Sequence, residues 1–194
     1  MKINQRMRTL AVGLLLALAT VAMVPMAVAD SASTKKTVLV GGAAMSPSKN
    51  IMQNVVNSKA HTTLVAALKA AGLTETLSGV GPFTVFAPTN KAFAALPAGT
   101  VDNLMKSENK AALAKILSYH VVAGRLTRHD LAKAVEAGGG TAPLKTLEGD
   151  SITISKDADR WAIIDDKGNV AHVTIGDVMQ SNGVIFVIDQ VLMP

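Results

Sequence analysis

The sequence predicts an α+β fold built on a mostly antiparallel sheet system. Three observations carry that prediction. In the first half of the chain, apolar residues recur every three or four positions behind cap residues, which is the spacing of short amphipathic helices. From Thr146 onward they recur every second residue, the spacing of strands. Helices grouped ahead of strands, with no internal repeat, argue α+β rather than alternating βαβ units. The third observation is Phe83–Phe93, read Phe-Thr-Val-Phe-Ala-Pro-Thr-Asn-Lys-Ala-Phe, where both periods meet. Phe83, Val85 and Ala87 alternate as a strand, and Pro88 stops it because it lacks a donor and has a fixed φ. Thr89 and Asn90 are good N-caps, and Lys91–Ala95 then reads as a short helix with Phe93 inward. This is a rigid corner rather than a catalytic loop.

The other elements follow in order. Asp30–Lys49 is rich in Ser, Thr, Lys, Gly and Ala and is expected to be a flexible lead-in, with Thr37–Val40 its one candidate strand. Asn50 is the expected cap of a helix carrying Ile51, Val55 and Val56. Thr62 is the expected cap of the next helix, with Leu64, Val65 and Leu68 on one face and Gly72 as its stop. Leu73–Leu77 adds a helical turn, and Gly79–Pro82 breaks it. Val101–Met105 and Lys110–Ser118 read as helices, the second capped by Ser107 and striped by Leu113, Ile116 and Leu117. Tyr119–Val122 is expected to be a strand. Thr127 caps a helix with Leu131, Ala134 and Val135 inward, and Gly138–Gly140 ends it in a mobile loop. Ser151–Ser155, Trp161–Ile164, Ala171–Ile175 and Val184–Val191 are the expected strands, and Asp165–Asn169 is a hairpin turn.

The first 29 of the 194 residues have the form of an export leader. Lys2, Arg6 and Arg8 precede the apolar run Leu10–Val24, and Ala27-Val28-Ala29 offers a cleavage site that would leave Asp30 as the first mature residue. An uncleaved anchor is the competing expectation, since Leu10–Ala29 carries no charge. Pro25 and the small-residue site favour cleavage and hence a periplasmic or extracellular protein with no stable membrane insertion. Residues 50–194 are expected to form one domain, of a size that suits a single core. The chain has no Cys, so no disulfide contributes to stability. Its net charge of +5 includes three positive charges in the leader, leaving +2 on the remainder. No basic stripe interleaved with aromatics supports nucleic-acid binding.

No assembled chemistry is legible. His61, His120, His129 and His172 form no His-x-x-x-His or Glu-x-x-His pair, so no metal site is expected. Ser-x-x-Lys occurs three times, at Ser33, Ser46 and Ser107, without the Ser-Asp-Asn and Lys-Thr-Gly partners of the penicillin-binding enzymes. The nucleophile-elbow, phosphate-loop and dinucleotide patterns are absent, so no catalytic residue and no cofactor is expected. Asp157, Asp159, Asp165 and Asp166 miss the spacing of a calcium loop and read as solvated turn acids.

Three segments together resemble one family. The Phe83–Phe93 corner resembles the signature near the start of a fasciclin-type domain. Ile116–Leu126 resembles its central Tyr-His segment, and Ser181–Pro194 its closing strands; order and spacing agree from about Asn50 to Pro194. The resemblance implies a β-sandwich with helices packed along one edge. It also implies a non-enzymatic interaction module in cell-surface or matrix adhesion, whose partner is a cell-surface or matrix protein or a polysaccharide. The alternative is a small-ligand binder or unusual hydrolase with a pocket between helices and sandwich. In animal relatives the Tyr-His region is associated with receptor binding, which by resemblance would fall on Tyr119 and His120. Integrin-binding members carry an acidic residue before an Ile here, whereas this chain has Lys115 before Ile116. Phe186 replaces a His common in the closing strand. The candidate interaction residues are therefore Tyr119, His120 and the exposed neighbours Lys115 and Arg125. His120 itself is expected to satisfy buried backbone groups.

Overall fold

The computed structural model describes residues 37–157 and 160–194. The leader and its cleavage site lie outside the described residues. Nine strands and seven α-helices follow one another in the described chain. A hairpin of β1 (Val38–Val40) and β2 (Ala43–Met45) comes first. The lead-in was expected to be flexible apart from a strand near Thr37. Instead the described end of it is this hairpin, which buries Val40 and Met45.

Short helices α1 (Ile51–Val55), α2 (Thr62–Ala71) and α3 (Thr74–Ser78) precede β3 (Phe83–Pro88). Asn50 caps α1 in a reciprocal box with Gln53: the Asn50 side chain accepts from the Gln53 N–H at 2.8 Å and the Gln53 side chain from the Asn50 N–H at 3.0 Å. Gly72 closes α2 with a left-handed φ of 78°, as its position predicts. Helices α4 (Asn90–Ala94), α5 (Thr100–Leu104) and α6 (Lys110–Tyr119) lead to β4 (Val121–Ala123). Helix α7 (Arg128–Ala137) has the expected Thr127 cap. Strands β5 (Thr141–Lys145), β6 (Ser151–Asp157), β7 (Arg160–Ile164), β8 (Val170–Gln180) and β9 (Gly183–Ile188) complete the chain.

Seven strands form one sheet in the order β4-β3-β9-β8-β7-β6-β5. All neighbours are antiparallel except β3 and β9, which run parallel. Strand β8 bends at irregularities near Thr174 and Gly176–Asp177. At the second, Asp177 takes a φ of 55° and its carboxylate accepts the Arg128 N–H at 2.8 Å, fixing the start of α7. A bridge between Val122 and Thr146 brings the two edge strands together, so the sheet nearly closes on itself. The expected mostly antiparallel α+β sandwich is present in this curled form.

The parallel pair β3 and β9 is buried on both faces, which divides the core in two. Val85, Ala87, Ile185 and Val187 face the helices α1, α2, α4 and α6. Phe86, Val184, Phe186 and Ile188 face the interior of the curled sheet with Ile152, Ile154, Trp161 and Ile163, under Leu131 and Val135 of α7. Phe186 packs on Phe86 with ring centroids 5.7 Å apart, so it supplies packing as expected.

Several expectations are corrected. Ser107 does not cap α6; Ser107–Asn109 is a 3₁₀ turn that runs into the helix. Thr62 does not cap α2. The Thr63 N–H is satisfied by the Asn90 side chain at 3.0 Å, from across the corner. Tyr119 and His120 end α6 rather than begin a strand. Strand β5 was missed. Asp165 is not a solvated turn acid but is buried.

Candidate functional site

The end of α6 is a joint where four chain segments meet. The apolar stripe Leu113, Ile116 and Leu117 binds α6 to the core under the helices, while Tyr119 at its end packs into the second core, inside the curled sheet. Tyr119 is fully buried. Its hydroxyl donates to the Ser151 carbonyl at 3.2 Å and accepts the Asp166 N–H at 3.1 Å, tying the start of β6 to the β7–β8 turn. Burial raises the phenol above its ordinary pKa, so it stays protonated.

His120 is 2% exposed and spends both ring nitrogens on backbone. Nδ1 lies 2.8 Å from the Ile116 carbonyl oxygen, and Nε2 accepts the Leu192 N–H at 3.0 Å. One neighbour is a pure acceptor and the other a pure donor. The ring is therefore neutral, with its proton on Nδ1. Burial lowers its pKa to about 4, against a weaker upward pull from the Ile116 carbonyl and Asp165.

Asp165 completes the joint. Its Oδ1 accepts the N–H groups of Lys167 and Asn169 at 3.0 and 2.8 Å, closing the turn. Its Oδ2 accepts the Met193 N–H at 3.0 Å. Consecutive backbone donors of the C-terminal segment, Leu192 and Met193, are thus held by His120 and Asp165. Sequence reasoning missed Asp165, because Asp-Asp-Lys-Gly-Asn carries an ordinary turn signal whatever its burial. It also missed Asn182, whose side chain accepts the Ile51 N–H at 3.0 Å and donates to the carbonyls of Leu77 and Gly79 at 2.9 and 2.8 Å.

The exposed candidates lie at opposite ends of β4. Before it, Lys115 Nζ sits 3.4 Å from Glu148 and 3.8 Å from Asp150, beside Leu147, which is 42% exposed and whose N–H reaches the Val121 carbonyl. Close carboxylates raise the pKa of Asp150, Glu148 foremost. After β4, Arg125 donates to the carbonyls of Gln180 and Ser181 at 3.2 and 2.9 Å, clamping the β8–β9 turn. Arg125 is therefore exposed, as expected, and also holds the fold.

Among the described residues no group of three or more His, Asp or Glu could hold a metal ion. His61 is buried and pairs through Nδ1 with the Ser58 hydroxyl at 2.9 Å, far in the chain from the other histidines. A cleft of about 200 Å³ opens between α4 and the C-terminal segment, lined in part by Ala92, Leu96, Asn169, Gln190 and Met193. None of its lining side chains titrates. No helix among the described residues is long and apolar enough to cross a membrane.

The model of the fasciclin domain matches residues 59–194, so the chain belongs to the fasciclin family. Protein sll1483 of Synechocystis is 46% identical over 94% of this chain and 91% of its own length. The transforming growth factor-beta-induced protein ig-h3 of rabbit (Oryctolagus cuniculus) is 38% identical over 76% of this chain, which spans 20% of that larger protein. The solved domain pair of the insect cell adhesion molecule fasciclin I superposes with a TM-score of 0.66 at 23% identity, covering 75% of this chain and 51% of that one. That likeness bears on the fold.

Proposed function

We propose that this protein is an exported, non-enzymatic interaction module that binds a cell-surface or matrix component. Cleavage after Ala29 would release residues 30–194 to the periplasm or exterior. Membership of the fasciclin family supports this reading, as does the leader pattern. The observation that carries its molecular detail is the burial of Tyr119 and His120, whose polar atoms are occupied by backbone. A partner meets the side chains around them instead. The best-formed candidate is the edge at Lys115, Leu147, Glu148 and Asp150, where an exposed apolar residue is rimmed by an ion-pair network. Arg125 at the far end of β4 is the second candidate.

The test is a pull-down of cell-envelope components with residues 30–194, repeated with Lys115→Ala, Leu147→Ser and Arg125→Ala. Loss of capture on changing Lys115 or Leu147, with the melt unchanged, supports the reading. Full capture by all three variants, or none by the unmodified protein, overturns it.

A further inference from the structure

The two halves of the chain carry opposite charge. Residues 37–120, which hold α1–α6, contain seven lysines, no arginine and three carboxylates; residues 121–194 contain seven basic and ten acidic residues. All seven lysines of the helical half are exposed. Lys106 and Lys115 are taken up by Glu108, Glu148 and Asp150. Among the described residues, Lys49, Lys59, Lys69, Lys91 and Lys110 have no carboxylate within ion-pair distance.

Four of these five border α2. At its N-terminal end, the Asn90 side chain donates to the Lys59 carbonyl at 2.9 Å and the Asn90 N–H to that of Ala60 at 2.7 Å, which sets Lys59 beside Lys91. At its C-terminal end, Lys69 lies in the last turn. Lys110 lies over Gly72, where a Cβ would come within 3.5 Å of its Nζ. Ten helical residues separate the pairs by about 15 Å. The outward residues between them are Thr62, Ala66 and Ala70, so the strip carries no large apolar or aromatic group.

We propose that this face, α2 with the flanking ends of α4 and α6, binds an acidic polysaccharide. Paired lysines along a strip of small residues suit a flexible chain of repeated anionic groups, met as point charges rather than in bidentate geometry. A membrane surface would require an apolar face to insert, and a single-stranded nucleic acid would require stacking rings; the strip has neither. This inference goes beyond the proposed function, adding a second partner class on a surface other than the Lys115 edge.

The test is binding of residues 30–194 to immobilised heparin and polyuronate, with neutral dextran, anionic phospholipid vesicles and duplex DNA as competing probes. The variants are Lys59→Gln/Lys91→Gln, Lys69→Gln/Lys110→Gln and all four combined; Lys133→Gln/Lys145→Gln/Lys156→Gln/Lys167→Gln is the charge-matched control. Melting curves confirm that each folds. The quadruple helical variant is expected to lose about tenfold or more in glycan affinity, as four small ionic contributions sum to that. The control is expected to bind as the unmodified protein does, and binding is expected to weaken as salt rises from about 50 to about 300 mM. Equal loss in the control, or undiminished binding by the quadruple variant, overturns the site. Equal or tighter binding to vesicles or DNA overturns the glycan assignment. Failure on glycans with intact, Lys115-dependent capture of an envelope component sinks this inference and leaves the adhesion reading standing.

Discussion

The Asn90 corner and the Tyr119–His120 joint both fasten helices to the sheet, but with different chemistry. Asn90 works at the partly exposed margin. Its amide meets the Thr63 N–H, the Lys59 carbonyl and the Thr62 hydroxyl, all neutral groups that water could replace. His120 works in the interior, where its partners have no other source of hydrogen bonds. Each contact is therefore worth more at the joint, and the His120 ring makes the joint sensitive to pH. A motif that looks functional because it holds a Tyr and a His can be the most structural place in a domain.

The largest expected effect comes from removing whole buried side chains. His120→Ala strands the Ile116 carbonyl and the Leu192 N–H at about 1–3 kcal/mol each and opens a cavity. A loss of about 3–5 kcal/mol in denaturant melts is expected. Phe93→Ala, behind the corner, should match it through packing alone. If His120→Ala costs much less than Phe93→Ala, the hydrogen bonds at the joint are not what holds it.

Acid should separate the two regions next. The His120 pKa is about 4 when folded and near 6.5 when unfolded, so between those values the unfolded chain binds more protons. Its contribution is fully present above pH 6.5 and is lost as pH falls toward 4, roughly 3 kcal/mol over the window. The slope of stability against pH from 6.5 to 4.5 should fall in His120→Ala, leaving the part owed to His61, whose pKa burial also lowers, and should persist in full in Asn90→Ala. Asn90→Ala itself should cost about 1 kcal/mol, the value of a lost cap, at any pH in that range. Smallest of all, Lys115→Ala should leave the melt essentially unchanged, because exposed ion pairs contribute little.

The same contrast explains what was legible beforehand. The corner is written in local signals: alternation, a proline stop, and Thr89 and Asn90 within three residues of the helix they start. Its long-range half was not legible, since nothing near Asn90 announces that its amide serves α2. The joint is the reverse case. Tyr119 and His120 stand out as residue types, yet their partners Ser151, Asp166 and Leu192 lie 32 to 72 residues away. Burial of Asp165, the parallel pairing of β3 with β9 and the Asn182 hub depend likewise on contacts made only in the fold. Strand β5 escaped because Ala142 and Leu144 make a short, weak alternation around Pro143, straight after a glycine run.

The central claim is that the Tyr-His pair builds the fold while contacts to a partner lie beside it. It is tested most directly by thermal melting and envelope-component binding on the same preparations of His120→Ala and Lys115→Ala. The expected result is that His120→Ala loses stability and binds only in proportion to its folded fraction, whereas Lys115→Ala keeps its melt and loses capture. A His120→Ala protein that melts like the unmodified chain yet no longer binds would contradict the account and make the imidazole itself the contact.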